Sequence, residues 1–294
     1  MDTLTAQGLW QKNVDLSALT STRTGGCCDF FHAPMTIEAL LEDLEKARSL
    51  SIPVTVLGCM SNVLVSDRGI AGLVISTRAV KGIEIKGDLV IAACGERLDA
   101  VINKALDHNL AGLEELGGIP GTVGGATWGN AGANGLEVGD RFFYSDYVTA
   151  SGKLRRMPSY CDAFSYRSSP FEEGDTILCT AFRLQPLGAT AQARVRKEAF
   201  KAKRIERGQF KYPCAGCFFR NPPGMSAGAL IDEAGLKGLE HGGAMVSPYH
   251  GAFIVNASSA TSRAMYELAE IVRAAVEKRY GITLEYEVRL LGDF

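Results

Sequence analysis

The amino-acid sequence predicts an α+β protein built from two lobes. Helical and strand-like patterns alternate irregularly along the 294 residues, and several strand-like segments follow one another as in β-hairpins. At roughly 100–200 residues per domain, a chain of this length is expected to form about two domains. We place the join between the lobes near residue 190, just before a basic amphipathic segment.

Four helices and eight strands follow from the local patterns. The first helix begins after Thr36, which can cap it, and stops before Pro53. The last helix begins after Thr261 and ends at Gly281, with an apolar stripe along one face. The other two helices are expected over residues 98–108 and 191–206. Strands are expected over residues 53–57, 63–65, 73–75, 83–85, 89–93, 142–150, 176–184 and 282–290.

The composition excludes several classes of protein. The formal net charge is −2, from 31 basic and 33 acidic residues, so the chain lacks the basic footprint of a nucleic-acid-binding protein. The first residues do not resemble a secretory leader, and no apolar run approaches the ~20 residues of a membrane helix. We therefore expect a cytoplasmic protein with reduced cysteines and with neither a nucleic-acid nor a membrane partner.

Glycines are concentrated in one segment, 117–125, where they occupy five of nine positions. Glycine allows a ligand to approach the backbone closely, and clustered backbone N–H groups bind anions such as a diphosphate. The alternative is a set of tight turns with no ligand. The spacing matches neither a Rossmann fingerprint nor a Walker loop. A nucleotide site here would therefore need two separate loops, 58–62 and 117–125, to converge on one ligand.

Six motifs, in a fixed order, resemble those of UDP-N-acetylenolpyruvoylglucosamine reductases. The resemblance covers about residues 20 to 292. The motifs are LGCMSNVLVSD at 57–67, GGIPGTVGG at 117–125 with NAG at 130–132, YRSSPF at 166–171, AGCFFRNP at 215–222, GLKG at 235–238 and LEYEVR at 284–289.

The resemblance implies both a fold and an activity. It implies a vanillyl-alcohol-oxidase-type (PCMH) FAD-binding domain of two subdomains over residues 20–188, and an α+β substrate-binding domain over residues 189–294. FAD would be bound non-covalently, and NADPH would reduce it. The enzyme would then reduce the enolpyruvyl ether of UDP-N-acetylglucosamine to UDP-N-acetylmuramate in peptidoglycan precursor synthesis. The short interval between Tyr166 and Cys214 is typical of the compact subtype, which we expect to be a monomer.

Three catalytic residues are implied by the matched motifs. Hydride from the flavin would reach the methylene carbon, and negative charge would build on the neighbouring carbon and its carboxylate. Arg167 would bind that carboxylate, since its planar fork suits one, and Glu287 would help to polarise it. Cys217 would protonate the carbon in place of the family's usual serine, because a thiol is a stronger acid than an alcohol. Taken alone, both Arg167 and Glu287 would be read as solvated side chains.

The resemblance also implies the binding residues. The substrate would contact Tyr166, Arg167, Asn221 and Lys237, and its diphosphate could in addition meet Arg204, Arg207 or Lys211. The cofactor would be held by Gly58, Cys59, Met60, Ser61, Asn62, Gly117, Ile119, Pro120, Gly121, Thr122, Gly124, Gly125, Asn130 and Gly132.

Other functions remain open at this level. Cys214 and Cys217 form a C-x-x-C, which can be a redox dithiol or half of a zinc site, although the second ligand pair of a zinc site is missing and we expect no metal. A different flavoenzyme of the same fold would often carry its flavin covalently. A non-catalytic nucleotide-binding or metal-binding module would be colourless or would hold zinc.

Overall fold

The computed structural model describes residues 10–159 and 164–294, which divide into two compact units. The first unit contains Phe31–Cys59 and Gly72–Lys203, together with Trp10. The second contains Gln11–Phe30, Met60–Ala71 and Arg204–Phe294. The second unit is therefore assembled from three separate stretches of chain. The expected domain limits, 20–188 and 189–294, follow the family description and stay a prediction.

Helices and strands alternate irregularly in the described residues, as the sequence predicts. The helices are α1 Ile37–Ser49, α2 Leu98–Asp107, α3 Val123–Trp128, α4 Ala191–Glu206, α5 Ala227–Glu233 and α6 Ser262–Tyr280. The strands are β1 Gln11–Asp15, β2 Cys27–His32, β3 Val54–Leu57, β4 Val63–Val65, β5 Ile70–Ser76, β6 Ile83–Lys86, β7 Leu89–Ala93, β8 Leu110–Ala111, β9 Gly132–Ala133, β10 Leu136–Glu137, β11 Phe142–Val148, β12 Leu154–Pro158, β13 Thr176–Arg183, β14 Gln185–Pro186, β15 Cys214–Cys217, β16 Glu240–His241, β17 Ala244–Val246, β18 Phe253–Asn256 and β19 Arg289–Leu291.

The first unit is built on a five-stranded antiparallel sheet in the order β12-β11-β13-β7-β6. Helix α2 covers it because its apolar residues recur at helical spacing and form one buried face. That face consists of Leu98, Val101, Ile102, Ala105 and Leu106, which join a core with Val90 and Phe182 of the sheet.

A parallel strand pair in the same unit leads into the first candidate loop. β3 pairs with β5 from Val54 opposite Leu73 to Leu57 opposite Ser76. The chain leaves this pair at Gly58, so the end of β3 fixes where the 58–62 loop begins. Helix α1 runs into β3 and is capped as predicted, since the Thr36 hydroxyl accepts the Ala39 N–H at 3.2 Å.

The second unit packs helix α6 on a four-stranded antiparallel sheet in the order β15-β18-β17-β16. The predicted ends of α6 are confirmed. The Thr261 hydroxyl accepts the Ala264 N–H at 3.0 Å, and Gly281 takes a left-handed conformation (φ +69°) at the last turn. The buried stripe of α6 includes Met265, Leu268 and Val272, which form the centre of the core of this unit.

The strand expected over 282–290 is much shorter in the structure. Only Arg289–Leu291 pairs regularly, in parallel with β4. Leu284 and Val288 are buried, but Tyr286 forms only an isolated bridge with Phe219. Phe219, the partner of Tyr286, comes after the end of β15 at Cys217. Among the described residues, no strand therefore lies beside this segment with which it could pair continuously.

None of the helices in the described part of the chain combines the length and the apolar character that crossing a membrane requires.

Candidate functional site

The two loops that the sequence expects to converge are in contact at Gly58 and Thr122. A Cβ atom placed on Gly58 would lie 2.2 Å from the Thr122 hydroxyl oxygen. This distance is far shorter than any real Cβ contact, so only glycine allows the approach. Thr122 is buried, and its hydroxyl accepts the Gly125 N–H at 3.3 Å. The contact joins the end of β3 to the start of α3.

The glycine-rich segment is also anchored to the ends of β7 and α2. Gly124 donates its N–H to the carbonyl oxygen of Cys94 at 2.9 Å, and a Cβ on Gly124 would lie 3.0 Å from that of Cys94. Leu98 donates to the carbonyl oxygen of Gly121 at 3.2 Å. The N–H groups of Gly124 and Gly125 therefore serve the protein itself, and a diphosphate in this segment must use other donors.

Gly117 and Gly118 lie against an ion pair between a buried lysine and a partly exposed aspartate. Lys197 of α4 is 2% exposed, and its ammonium lies 3.0 Å from a carboxylate oxygen of Asp99 in α2. The same oxygen accepts the Gly118 N–H at 3.0 Å, and a Cβ on Gly117 would lie 2.7 Å from Cγ of Lys197. Burial acts to raise the pKa of Asp99, but the Gly118 N–H and the ammonium of Lys197 together hold it below its ordinary value. The Asp99–Lys197 pair therefore holds the backbone of Gly117 and Gly118 in place.

Asn130 has both amide N–H groups engaged within the protein. Its Nδ2 donates to Glu137 Oε2 at 2.7 Å and to the carbonyl oxygen of Ser165 at 2.8 Å, while its Oδ1 accepts the Gly139 N–H at 2.9 Å. In this arrangement Asn130 has no N–H left for a cofactor. It can instead hold in place the segment that carries Gly132.

Arg167 lies in a tight turn closed by backbone hydrogen bonds in both directions between Ser165 and Ser168, at 3.1 and 2.9 Å. Its backbone is left-handed (φ +56°), a conformation that costs a non-glycine residue about 1 kcal/mol. Its guanidinium donates to the carbonyl oxygen of Gly132 at 3.3 Å and lies 3.9 Å from a carboxylate oxygen of Glu137. The half-exposed ring of Tyr166 stands 4.9 Å from the guanidinium. The turn thus holds the guanidinium of Arg167 beside Gly132, Glu137 and Tyr166.

Glu137 is a residue of this cluster that sequence reasoning missed. It contacts both Asn130 and Arg167, and a Cβ on Gly132 would lie 2.8 Å from its Cγ. No matched motif includes Glu137. Its position two residues after Asn134-Gly135, and 30 residues from Arg167, gave no signal of the contact.

In the second unit, Asn62 and Glu287 are brought together. The Asn62 side chain donates to the backbone carbonyl oxygen of Glu287 at 3.2 Å, and the Arg289 N–H donates back to the carbonyl oxygen of Asn62 at 3.1 Å. Met60, in the same loop, is buried with a left-handed backbone (φ +52°) and accepts the Ser21 N–H at 3.3 Å. The loop that leaves β3 is therefore held at the segment that carries Glu287.

Cys217 stands next to the same segment. The Glu287 N–H donates to the carbonyl oxygen of Phe218 at 2.9 Å, and Phe218 directly follows Cys217 in the chain. The ring of Tyr286 stacks on that of Phe219, with centroids 5.6 Å apart. The Tyr286 hydroxyl donates to Glu270, so an aromatic pair and a hydrogen bond both hold the residue that precedes Glu287.

A group of basic residues surrounds His250. Burial, followed by the nearby cations Arg207 and Lys237, lowers the pKa of His250, while Asp232 acts in the opposite direction. Lys237 forms an ion pair with Asp232. His250 accepts the Ala252 N–H at 3.2 Å through Nδ1, as a neutral imidazole does. This group has the charge to bind an anion.

Asn221 has a structural contact of its own. Its Oδ1 accepts the N–H of Ala227, the first residue of α5, at 3.0 Å.

In residues 10–159 and 164–294, no three His, Cys, Asp or Glu side chains are grouped as metal ligands would be.

Two family models match the chain. One is described as an FAD binding domain and matches residues 28–158. The other is described as the C-terminal domain of UDP-N-acetylenolpyruvoylglucosamine reductase and matches residues 208–291.

Full-length relatives are also found. The chain is 36% identical over 294 residues to UDP-N-acetylenolpyruvoylglucosamine reductase 2 of Bacillus anthracis, covering 100% of this chain and 96% of the relative. It is 37% identical over 291 residues to UDP-N-acetylenolpyruvoylglucosamine reductase of Lactobacillus delbrueckii subsp. bulgaricus, covering 99% and 98%.

Solved structures agree in fold. The crystal structure of the reductase of the same name from Thermus caldophilus is 33% identical, covers 97% of this chain and 100% of its own, and superposes with a TM-score of 0.81. A glucooligosaccharide oxidase from Acremonium strictum is 12% identical and covers 62% of this chain and 41% of its own, with a TM-score of 0.50. At that identity the likeness is one of fold alone. These matches confirm the expected α+β fold with a PCMH-type FAD-binding domain.

Proposed function

Because the chain belongs to the family of UDP-N-acetylenolpyruvoylglucosamine reductases, we propose that it reduces UDP-N-acetyl-3-O-(1-carboxyvinyl)glucosamine to UDP-N-acetylmuramate with NADPH. The observation that carries this proposal is the similarity to named reductases over the whole chain. The product is a precursor of peptidoglycan. Since NADPH and UDP-sugars are cytoplasmic compounds, we place the reaction in the cytoplasm.

The glycine contacts fit an FAD site. A ligand that lies along the backbone needs segments without side chains. The packing excludes a side chain at Gly58 and leaves little room for one at Gly124. Bound FAD supplies the hydride that reduces the double bond. The protein contributes the shape of the loops, which the Gly58–Thr122 contact and the Asp99–Lys197 pair hold in place. Residues 58–62 and 117–125 remain the proposed cofactor contacts.

Arg167 is proposed to bind the substrate carboxylate. A guanidinium binds a carboxylate through two parallel N–H···O bonds, and it stays charged at any working pH. Glu137 lies 3.9 Å from the guanidinium and contributes to its orientation. Negative charge that develops on the carboxylate would be stabilised by this fixed positive charge.

Cys217 is proposed to donate the proton and Glu287 to assist at the carboxylate. Cys217 is half-buried, so its thiol can face a substrate while it stays partly shielded from solvent. Asn62 and Phe218 hold the backbone of Glu287, and we propose that its side chain acts at the same carboxylate. Each residue thereby acts at one atom: Cys217 at the carbon that becomes carbanionic, and Glu287 at an oxygen.

The diphosphate of the substrate is proposed to bind at the basic group around His250. Arg207 and Lys237 both lower the pKa of His250, so their charges act on one region of the second unit. Lys237 lies within the matched GLKG motif. A diphosphate would compete with Asp232 for Lys237.

The test is the mass of the product. Purified protein with NADPH and the enolpyruvyl nucleotide should yield a sugar nucleotide heavier by two hydrogens. In D2O, one of them should be deuterium, on the carbon that the protein protonates. Consumption of NADPH with no change in the mass of the sugar nucleotide would contradict the proposal.

A further inference from the structure

Arg97 lies directly opposite Thr122 in a short antiparallel bridge. The next residue, Leu98, donates its N–H to the carbonyl oxygen of Gly121 at 3.2 Å, and Val123 donates to the carbonyl oxygen of the residue before Arg97 at 2.8 Å. These two hydrogen bonds flank the pair. In such a pair the two side chains leave the same face, with Cβ atoms roughly 4.5–5.5 Å apart. The side chain of Arg97 therefore begins beside that of Thr122.

Thr122 is also the residue at which the two proposed flavin loops meet. Its hydroxyl oxygen would lie 2.2 Å from a Cβ atom on Gly58, so the backbone of the first loop passes directly beside it. Thr122 is buried, whereas Arg97 is exposed. The guanidinium of Arg97 therefore extends into solvent from the point where the two loops touch, and it can reach a ligand that lies along both of them.

The acidic residues near Arg97 in the chain have partners of their own. Glu96 accepts the Gly82 N–H at 2.9 Å through one carboxylate oxygen, and its other oxygen lies 3.9 Å from the ammonium of Lys81. Asp99 is held by an ammonium of α4 at 3.0 Å. Among residues 10–159 and 164–294, no ion pair or side-chain hydrogen bond engages Arg97. Its charge is therefore available to an anionic ligand.

The glycine-rich segment itself has few donors left for a diphosphate. Six of its N–H groups donate to other atoms of the protein, namely those of Gly117, Gly118, Ile119, Val123, Gly124 and Gly125. A diphosphate is anionic and favours a cation beside it, and the planar fork of an arginine can bind two phosphate oxygens at once. Arg97 supplies the charge that the segment lacks.

We infer that Arg97 binds the diphosphate of the flavin cofactor where the two loops meet. This inference rests on the proposed FAD site and adds to it a residue that lies outside all six motifs. The interaction is an exposed one between a guanidinium and phosphate oxygens, so it contributes to the affinity for FAD and weakens as salt screens it. Arg97 takes no part in hydride or proton transfer.

The test is the release of FAD from the purified holoenzyme, which needs neither NADPH nor the sugar nucleotide. The protein would be diluted in low-salt buffer and filtered, and the flavin in the filtrate would be measured. Arg97→Gln should raise the dissociation constant of FAD by about 10–100-fold, the usual effect of removing a charged hydrogen-bond partner. The difference from the wild type should shrink as KCl is added, because salt screens the lost interaction.

Arg155→Gln is the matched control. Arg155 is an exposed arginine of β12, which lies three strands from β7 in the sheet of the first unit. This variant should hold FAD as tightly as the wild type. The Tm of FAD-free protein should be the same in both variants, since each removes an exposed side chain, and a Tm lowered only in Arg97→Gln would assign Arg97 a structural role instead.

Three further results would overturn the inference. Arg97→Gln could hold FAD as tightly as the wild type, the two variants could lose FAD equally, or the loss in Arg97→Gln could be independent of salt. An unchanged dissociation constant for FAD together with a raised KM for NADPH or for the sugar nucleotide would assign Arg97 to a phosphate of that compound.

The inference and the proposed function fail separately. If the wild-type protein holds FAD but does not reduce the enolpyruvyl nucleotide, the proposed function fails, while the release of FAD still decides the role of Arg97. A wild-type protein that holds no FAD at any salt concentration would remove the proposed flavin site and, with it, this role of Arg97.

Discussion

Asn62 donates its side-chain amide to the backbone carbonyl oxygen of Glu287 at 3.2 Å, across 225 residues of sequence. Asn62, in the proposed flavin loop, therefore supports the segment that carries Glu287. The Arg289 N–H closes the contact from the other side at 3.1 Å. A change at Asn62 should disturb the chemistry even where the loop keeps its shape.

Asn62→Asp should lower kcat by about fivefold, because it replaces an N–H donor with an acceptor facing a carbonyl oxygen, and one lost hydrogen bond is worth roughly 1 kcal/mol. The matched control is Asn134→Asp, which removes an amide that donates to the carbonyl oxygen of Glu115 at 2.8 Å. The control should keep its kcat. Equal losses in the two variants would contradict the link between Asn62 and Glu287.

Cys217→Ala should lower the rate of carbon reduction by about 10²–10⁴-fold, the usual contribution of a general acid. Cys217→Ser should retain most of the activity because a hydroxyl can replace the thiol. Flavin reduction by NADPH, measured by stopped flow, should be unchanged in both variants. An alanine variant that reduces the substrate at the wild-type rate would remove Cys217 from the mechanism.

Gly58→Ala should abolish FAD retention, because its Cβ would lie 2.2 Å from the buried Thr122 hydroxyl oxygen. Gly188→Ala is the control, since a Cβ there meets nothing within 4 Å and the backbone is not left-handed. The measurement is the ratio of flavin to protein absorbance after gel filtration. Normal flavin content in Gly58→Ala would show that the two loops can separate without loss of the site.

Lys197→Met should lower the free energy of unfolding by about 3–5 kcal/mol, because it leaves the carboxylate of Asp99 without its buried partner. Arg194→Met, on the same helix, breaks the exposed pair with Asp107 and should cost only about 0–1 kcal/mol. Urea denaturation of both variants gives the comparison. Equal costs would mean that the Asp99–Lys197 pair adds nothing to the support of the glycine-rich segment.

His250→Asn should weaken the pH dependence of stability in the acid range. The pKa of His250 is held below its ordinary 6.5 by burial and by Arg207 and Lys237, against Asp232. Below about pH 6.5, the unfolded chain therefore binds a proton that the folded chain does not, and stability falls as the pH decreases. The loss of Tm between pH 7.5 and 5.5 should be smaller in the variant. An unchanged loss would show that His250 protonates freely in the folded protein.

The sequence predicted best the elements that carry their own end signals. Helix α6 begins after Thr261 and ends at Gly281 as expected, and α4 occupies 191–206. The strand predicted over 282–290 was too long, since only Arg289–Leu291 forms a regular strand. Its pairing depends on how the chain beyond Cys217 leaves its sheet, which no local pattern of residues shows.

The candidate site was predictable only in part, because contacts between residues far apart in the sequence depend on how the whole chain folds. The convergence of the loops at Gly58 and Thr122 was expected from glycine spacing. The contact of Glu137 with Asn130 and Arg167 joins residues with no shared motif, so it arises only when the chain folds. The roles of Arg167, Cys217 and Glu287 stay predictions.

The most direct test of the reductase assignment is an anaerobic visible spectrum of the purified holoenzyme. We predict a flavin band that acid releases with the cofactor, that disappears on addition of NADPH, and that returns only when the enolpyruvyl nucleotide is added. A band that disappears and does not return with this substrate would point to another flavoenzyme. A protein that stays colourless after incubation with FAD would contradict the account altogether.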